Sequence, residues 1–246
     1  MVKLTLLPIL LVSLVACQPR QPHDDAAPVQ SDSVDPYAQD RALMVQQQLR
    51  ARGIREKAVL SAMTRVPRHR FVLPPYEHLA YTDHPLEIGF GQTISQPFIV
   101  GYMTEAAEIS RSDKVLEVGT GSGYQAAILA ELAREVYTIE IIPDLAAHAR
   151  AVLSELGYTN VQVRTGDGYA GWKEKAPFDA ILVTAAPDHV PQALVEQLAV
   201  DGKMIIPVGT GEQEMRVVTR TAKGVTQQST LQVRFVPLVR PDTTSR

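Results

Sequence analysis

Residues 115–130, VLEVGTGSGYQAAILA, constrain the fold more than any other stretch of this 246-residue chain. Val115, Leu116 and Val118 form the kind of apolar run that suits a strand buried on both faces of a parallel sheet. Gly119, Gly121 and Gly123 follow at once. Without a Cβ they let the backbone turn sharply and approach a ligand closely. Gln125 to Ala133 is rich in Ala and Leu and favours helix. A strand feeding a glycine turn into a helix predicts a ligand site, with free N–H groups and the helix dipole available to an anion.

The glycine spacing narrows the ligand. A dinucleotide fingerprint needs a third glycine at 124, where this chain has Tyr124. The observed G-x-G-x-G, with Glu117 ahead of it, resembles the S-adenosylmethionine loop of Rossmann-like methyltransferases. That resemblance implies cofactor contacts from Glu117, Gly119, Thr120, Gly121 and Gly123. Glu140 closes the run EVYTIE about twenty residues later, where a carboxylate can accept hydrogen bonds from ribose hydroxyls. Asp167 lies in GDG after the run Val161 to Thr165. In methyltransferases of this type an Asp at that turn faces the adenine amino group, with Gly168 beside it. Singly, the glycine loop also suits a plain strand–helix turn and each carboxylate a solvated loop. Together, at successive strand C-termini, they point to a nucleotide-like cofactor, because ligands of open α/β sheets gather at those ends.

The rest of the chain alternates accordingly. Strand-like runs at 135–140, 161–165, 179–184 and 203–208 are separated by helical stretches at 144–156 and 190–198. This predicts a Rossmann-like α/β fold with a doubly wound, mostly parallel sheet. Two β-rich runs, 215–221 and 227–236, joined near Lys223-Gly224, are expected as an antiparallel edge pair. Ahead of the glycine strand, an amphipathic helix over 37–53 stops at Gly53, a second covers 56–65, and a third runs 97–109. Between them, 68–96 is dense in Pro, Gly and aromatics and reads as irregular, a type of segment that is often functional.

The N-terminus is of another kind. Lys3 precedes an apolar run, Leu4 to Val15, too short to span a bilayer permanently. The run ends in Leu14-Val15-Ala16-Cys17, which resembles the lipobox of bacterial lipoproteins. The resemblance implies a signal peptide over 1–16, lipidation at Cys17, and, with Gln18 next, the periplasmic side of the outer membrane; an unprocessed signal would leave the protein cytoplasmic. Residues 17–36 are polar and Pro-rich and read as a tether to a domain over 37–246. Cys17 is the only cysteine, so no intramolecular disulfide or cysteine metal cluster can form. The six histidines show no paired ligand spacing, and no metal is expected. A net charge of −3 without basic runs argues against nucleic acid as partner, and the only membrane contact expected is the lipid anchor at Cys17.

The segment 80–97 singles out one family. It reads Ala80-Tyr81-Thr82-Asp83, then PLEIG (85–89), then GQTISQP (91–97). With LEVGTGSGYQAA, GDGYAGW, VTAAP, IIPVG and RFVPLV, it closely resembles the protein-L-isoaspartate (D-aspartate) O-methyltransferases over about residues 40–240. One departure is Glu87, where that family usually carries proline. The resemblance implies a monomeric enzyme that moves a methyl group from S-adenosylmethionine to the free carboxylate of isoaspartyl residues in damaged proteins and peptides. It assigns Ser95 to catalysis, Thr93 and Ile94 to the acceptor pocket, and Asp83 to shaping that loop. A serine two residues before Pro97 also suits a helix N-cap. Two other functions stay open on the residues alone: a methyltransferase for a small acceptor, and a silent lipid-anchored binding module.

Overall fold

The computed structural model of the protein describes residues 1–2 and 35–241. Contacts divide the chain into two units, Met1–Asp35 and Pro36–Arg246. All of the expected signal but Met1 and Val2, the lipobox with Cys17, and all of the tether but Asp35 and Pro36 lie outside the described residues. The second unit carries all the secondary structure among the residues described.

Helix α1 (Ala38–Leu43) continues into a π-helical stretch, Met44–Leu49, and a 3-10 turn, Arg50–Arg52. It ends at Gly53 (φ +105°), the left-handed stop that the sequence predicts. Met44, Val45 and Leu49 are its buried stripe. Helix α2 (Lys57–Arg65) starts where the Glu56 side chain accepts from Ala58 N (3.2 Å) and stops before Val66-Pro67.

Residues 68–96 are more ordered than expected. They hold two 3-10 turns, Arg68–Phe71 and Pro74–Leu79, and a β-hairpin of β1 (Leu86–Gly89) and β2 (Gln92–Ile94). Strands this short show too few alternations to be read from sequence. The hairpin turns through Gly89, Phe90 and Gly91, all at positive φ. Glu87 is exposed on β1 opposite Thr93, so the departure from proline leaves the hairpin intact. Helix α3 (Pro97–Ala106) ends short of Ile109, because Glu108 at φ +52° cannot continue a helix.

The remaining elements are β3 (Lys114–Val118), α4 (Tyr124–Ala130), β4 (Glu135–Glu140), α5 (Pro143–Glu155), β5 (Val161–Thr165), β6 (Phe178–Val183), α6 (Gln192–Gln197), β7 (Leu198–Val208), β8 (Gln213–Thr221) and β9 (Gly224–Val233). They build one sheet in the order β5-β4-β3-β6-β7-β8-β9. The first five strands in that order run parallel, and β8 and β9 return antiparallel as the expected edge pair. Strand β7 begins earlier than 203: Leu198 already pairs with Phe178, and a bulge through Asp201 (φ +64°) intervenes before Lys203 pairs with Ala180.

Alternation along β3 sends Val115 to a core shared with α2, α3, α4 and α5, and Leu116 and Val118 to a second core with Leu194 and Val195 of α6. Helices therefore cover both faces. Each fully buried Leu or Ile contributes about 1.5–3 kcal/mol, so these two cores fix where the carboxyl ends of the strands stand.

Candidate active site

Strand order reverses at β3, with β4 on one side and β6 on the other. The crevice this opens at the carboxyl ends is the usual ligand position in such sheets. A cleft of about 820 Å³, counting its open mouth, lies there. Glu117, Gly119, Thr120, Gly121, Glu140, Gly168 and Thr184 line one part of it, and Gln92 to Ser95 close it from the hairpin side; Gly123, the N-cap of α4, faces Ala149 and Leu153 instead.

Glycine is required at two of these positions. A Cβ on Gly119 (φ +100°) would stand 2.4 Å from Thr184 Oγ1, and one on Gly168 would stand 2.5 Å from Val118 Cγ1. Four of the loop N–H groups are already taken, where the turn had suggested groups free for an anion. Gly119 and Thr120 donate to Ile139 O (2.8 and 3.2 Å), Gly123 to Thr120 O (2.8 Å), and Gly121 to Glu140 Oε2 (2.8 Å). The end of β4, its carboxylate and the loop's own Thr120 carbonyl take them, and the side chains left facing the cleft here are the acidic Glu117 and Glu140.

Glu117 points to the same face of β3 as Val115 and is fully buried. Its register partner Thr138 donates to Oε2 (2.5 Å), and Thr120 Oγ1 in turn donates to Thr138 Oγ1 (2.6 Å). Oε1 has no partner among the described residues. Burial pushes the Glu117 carboxyl up to about 8; the Thr138 hydrogen bond opposes this and the nearby Glu140 charge adds to it. Glu140 accepts from Gly121 N and from Ile142 N (3.0 Å), one N–H on each oxygen. Its remaining lone pairs stay available to hydroxyl donors. One orphaned carboxyl oxygen and one half-used carboxylate fit a ligand that carries N–H and hydroxyl donors.

Ser95 stands between β2 and α3. It is not the N-cap of α3: Gln96 holds that position, without a side-chain cap. The reason is local, since Pro97 is already the first helical residue. Ser95 and Thr93 line the cofactor-sized cleft and also a second cleft formed with Pro85, Gln96, Arg234 and Phe235. Ile94 is buried and lines the first.

Asp83 lines neither cleft. It pairs with Arg52 (2.9 Å), and its carbonyl accepts from Gln96 Nε2 (3.1 Å), which ties the loop ahead of the hairpin to the segment after it. Asp167 lies beside the main cleft rather than in its lining: Oδ1 accepts from Tyr169 N (2.9 Å) and Oδ2 is 3.9 Å from Arg240. Gly168, next to it, does line the cleft. Asp179 accepts from Lys114 N (2.8 Å) and is structural.

Three contributors were not placed in the site by the sequence reading, although two of them lie in its VTAAP and RFVPLV motifs. Thr184 lines both clefts and donates to Gly119 O (2.6 Å). It sits in the VTAAP motif, where its signal lay. The segment after β9 closes the cleft with Val236 to Val239: Ala186 N donates to Val236 O and Leu238 N to Ala186 O, both 2.8 Å. Arg68, fully buried, donates to Ser95 O (2.8 Å). Among the described residues no cluster of His, Cys, Asp and Glu could hold a metal, and no helix is long and apolar enough to cross a membrane.

An open parallel sheet with a glycine loop after its first parallel strand and acidic residues at the next strand ends defines a Rossmann-like, S-adenosylmethionine-dependent methyltransferase. The family model described as protein-L-isoaspartate (D-aspartate) O-methyltransferase matches residues 39–243. The chain belongs to that family. It is 63% identical over 199 residues to the protein-L-isoaspartate O-methyltransferase of Gloeobacter violaceus, covering 80% of this chain and 97% of the relative. With the enzyme of the same name from a Picosynechococcus species it shares 56% over 214 residues, 87% of this chain and 96% of the other. A Plasmodium falciparum structure assigned to the same family, solved with S-adenosyl-L-homocysteine, superposes with a TM-score of 0.73 at 25% identity, over 82% of this chain and 99% of that one.

Proposed function

We propose that the junction of the two clefts at Ser95 is where a methyl group passes to the free carboxylate of an isoaspartyl residue. The chain is a protein carboxyl O-methyltransferase acting in the repair of damaged proteins, and its cofactor is S-adenosylmethionine. The observation that carries the assignment of the transfer point is that Ser95, Thr93, Thr184 and Val236 line both clefts, and Ser95 and the two threonines bring hydroxyls to the junction. A group held in one can therefore meet a group held in the other only beside them.

The residues suit the chemistry. Glu117, Gly119, Thr120 and Gly121 would hold the methionine end of the cofactor, with Gly123 turning the loop into α4, Glu140 would hold the ribose and Gly168 the adenine, which Asp167 would approach from beside the cleft. The cofactor supplies an electrophilic methyl on a sulfonium. The acceptor carboxylate, with an ordinary value of about 4, is already ionised at neutral pH, so no general base is needed. Its oxygen forms the new bond to the methyl carbon as the carbon–sulfur bond breaks, and no proton moves. The chain's work is positioning and exclusion of water, worth up to about 7–11 kcal/mol of the barrier. The Ser95 hydroxyl orients the carboxylate, with Thr93 and Ile94 forming the wall beside it.

The test supplies S-adenosylmethionine and matched isoaspartyl and aspartyl peptides to the chain from residue 18 onward. Base-labile methyl esters are expected on the isoaspartyl peptide alone. Ser95→Ala is expected to lower kcat/KM by about 10- to 100-fold with the cofactor Kd unchanged, the scale of a misplaced reactant. Esters on neither peptide would sink the reading.

The lipoprotein reading of the N-terminus rests on Leu14-Val15-Ala16-Cys17 ending the apolar run with the chain's only cysteine. With Gln18 after Cys17, it points to the periplasmic side of the outer membrane. Labelling cells with radioactive palmitate should mark the wild-type protein and not Cys17→Ser. An unlabelled wild-type protein in the soluble fraction would return the enzyme to the cytoplasm.

A further inference from the structure

Arg68 is the largest of the fully buried side chains, and it is a charged one. It opens the 3-10 turn Arg68–Phe71, reached from α2 through Pro67. Nε donates to Ala80 O (2.7 Å) and Nη2 to Ser95 O (2.8 Å). The guanidinium carbon lies 4.8 Å from the centre of the Tyr124 ring, the first residue of α4 after the glycine loop. Tyr124 lines the cofactor cleft, and Ser95 lines both clefts.

A buried guanidinium is a costly way to fill a core, since an apolar side chain of similar volume needs no desolvation. Burial pulls it down to about 10, so it remains a cation at neutral pH. What it supplies is geometry. The guanidinium is a rigid planar fork whose N–H directions are fixed relative to one another, and it stacks on aromatic rings. Ser95 needs such a brace because it follows the last residue of β2 and precedes the N-cap of α3, outside both. The same fork reaches Ala80 and the ring at the start of α4, so three segments distant in sequence are set by one group.

We propose that Arg68 is the positioning residue for Ser95, fixing the transfer serine against the glycine loop. This rests on the reading of Ser95 as the residue that orients the acceptor. A lysine has one donor centre and no plane, so it cannot span both carbonyls and the ring.

The experiment compares the full chain with Arg68→Lys, Arg68→Gln and Ser95→Ala. It measures thermal melting, the Kd for S-adenosylhomocysteine, and kcat and KM on an isoaspartyl peptide. Arg68→Lys is expected to melt cooperatively, to bind S-adenosylhomocysteine within about threefold of wild type, and to lose kcat on the order of tenfold or more, the scale of a displaced reacting group. Arg68→Gln should lose at least as much. Three results overturn the proposal: unchanged kcat and KM in Arg68→Lys while Ser95→Ala is impaired; equal loss of cofactor binding and turnover; or absence of a cooperative melt in Arg68→Lys, which would make the residue a folding element. A Ser95→Ala enzyme of wild-type activity would instead refute the role given to Ser95, a separate failure.

Discussion

At the scale of single residues, Glu117 is the clearest case of fold working against an isolated group. Its carboxyl is raised from an ordinary 4.5 to about 8 by burial in the cofactor cleft. Between those values the native chain holds a proton that the unfolded chain has released, so stability falls as pH rises from about 4.5 toward 8 and levels off above. Glu117→Gln removes that slope. Melting of the unliganded protein should show the variant gaining on wild type as pH goes from 5 to 8; parallel curves would show Glu117 to be ionised throughout. Arg68 teaches the complementary lesson about legibility. An Arg in VPRHRF reads as a surface charge, because only the tertiary partners Ala80, Ser95 and Tyr124 reveal it as buried. Asp167 was visible as an acidic residue at the right turn, yet whether it faced the cleft or its own turn depended on Tyr169 N and Arg240, which sequence spacing does not encode.

Among elements, those with long-range periodicity were legible and those held by local turns were not. The strands from β3 to β6 appear within a residue or so of their expected positions, since a buried parallel strand must be a continuous apolar run. Hairpin β1–β2 was hidden in the stretch read as irregular. Its turn depends on three positive φ values, one of them at Phe90, where the side chain gives no warning. That hairpin also carries the site: Ile88 is buried, and its Cδ1 would lie 3.2 Å from a Cβ on Gly121. Ile88→Ala should therefore cost about 2 kcal/mol or more, in the range for truncating a buried Ile. It should also weaken S-adenosylhomocysteine binding, since the hairpin would no longer rest on the glycine loop. Urea unfolding with calorimetric titration checks both; loss of stability with unchanged affinity would separate the hairpin from the cofactor site. The GQTISQP motif on its second strand was legible only by family resemblance, because its residues carry no charge pattern that spells out chemistry.

For the whole molecule, the doubly wound order puts the crevice between β4 and β6, and the antiparallel pair β8–β9 brings the C-terminal segment back across it. Leu238 packs against the second core, and its carbonyl accepts from Tyr169 OH (3.2 Å). A chain ending at Phe235 keeps every strand of the sheet but lacks this wall. It should still unfold cooperatively, at a lower temperature, and should fail to bind S-adenosylhomocysteine; retained binding by calorimetry would show the segment to be dispensable. The closing strap also sets an order of events in the cell. A ribosome makes Ser95 and the glycine loop well before Val236 to Val239. Until Val236 to Val239 emerge, the nascent polypeptide lacks one wall of the cofactor cleft.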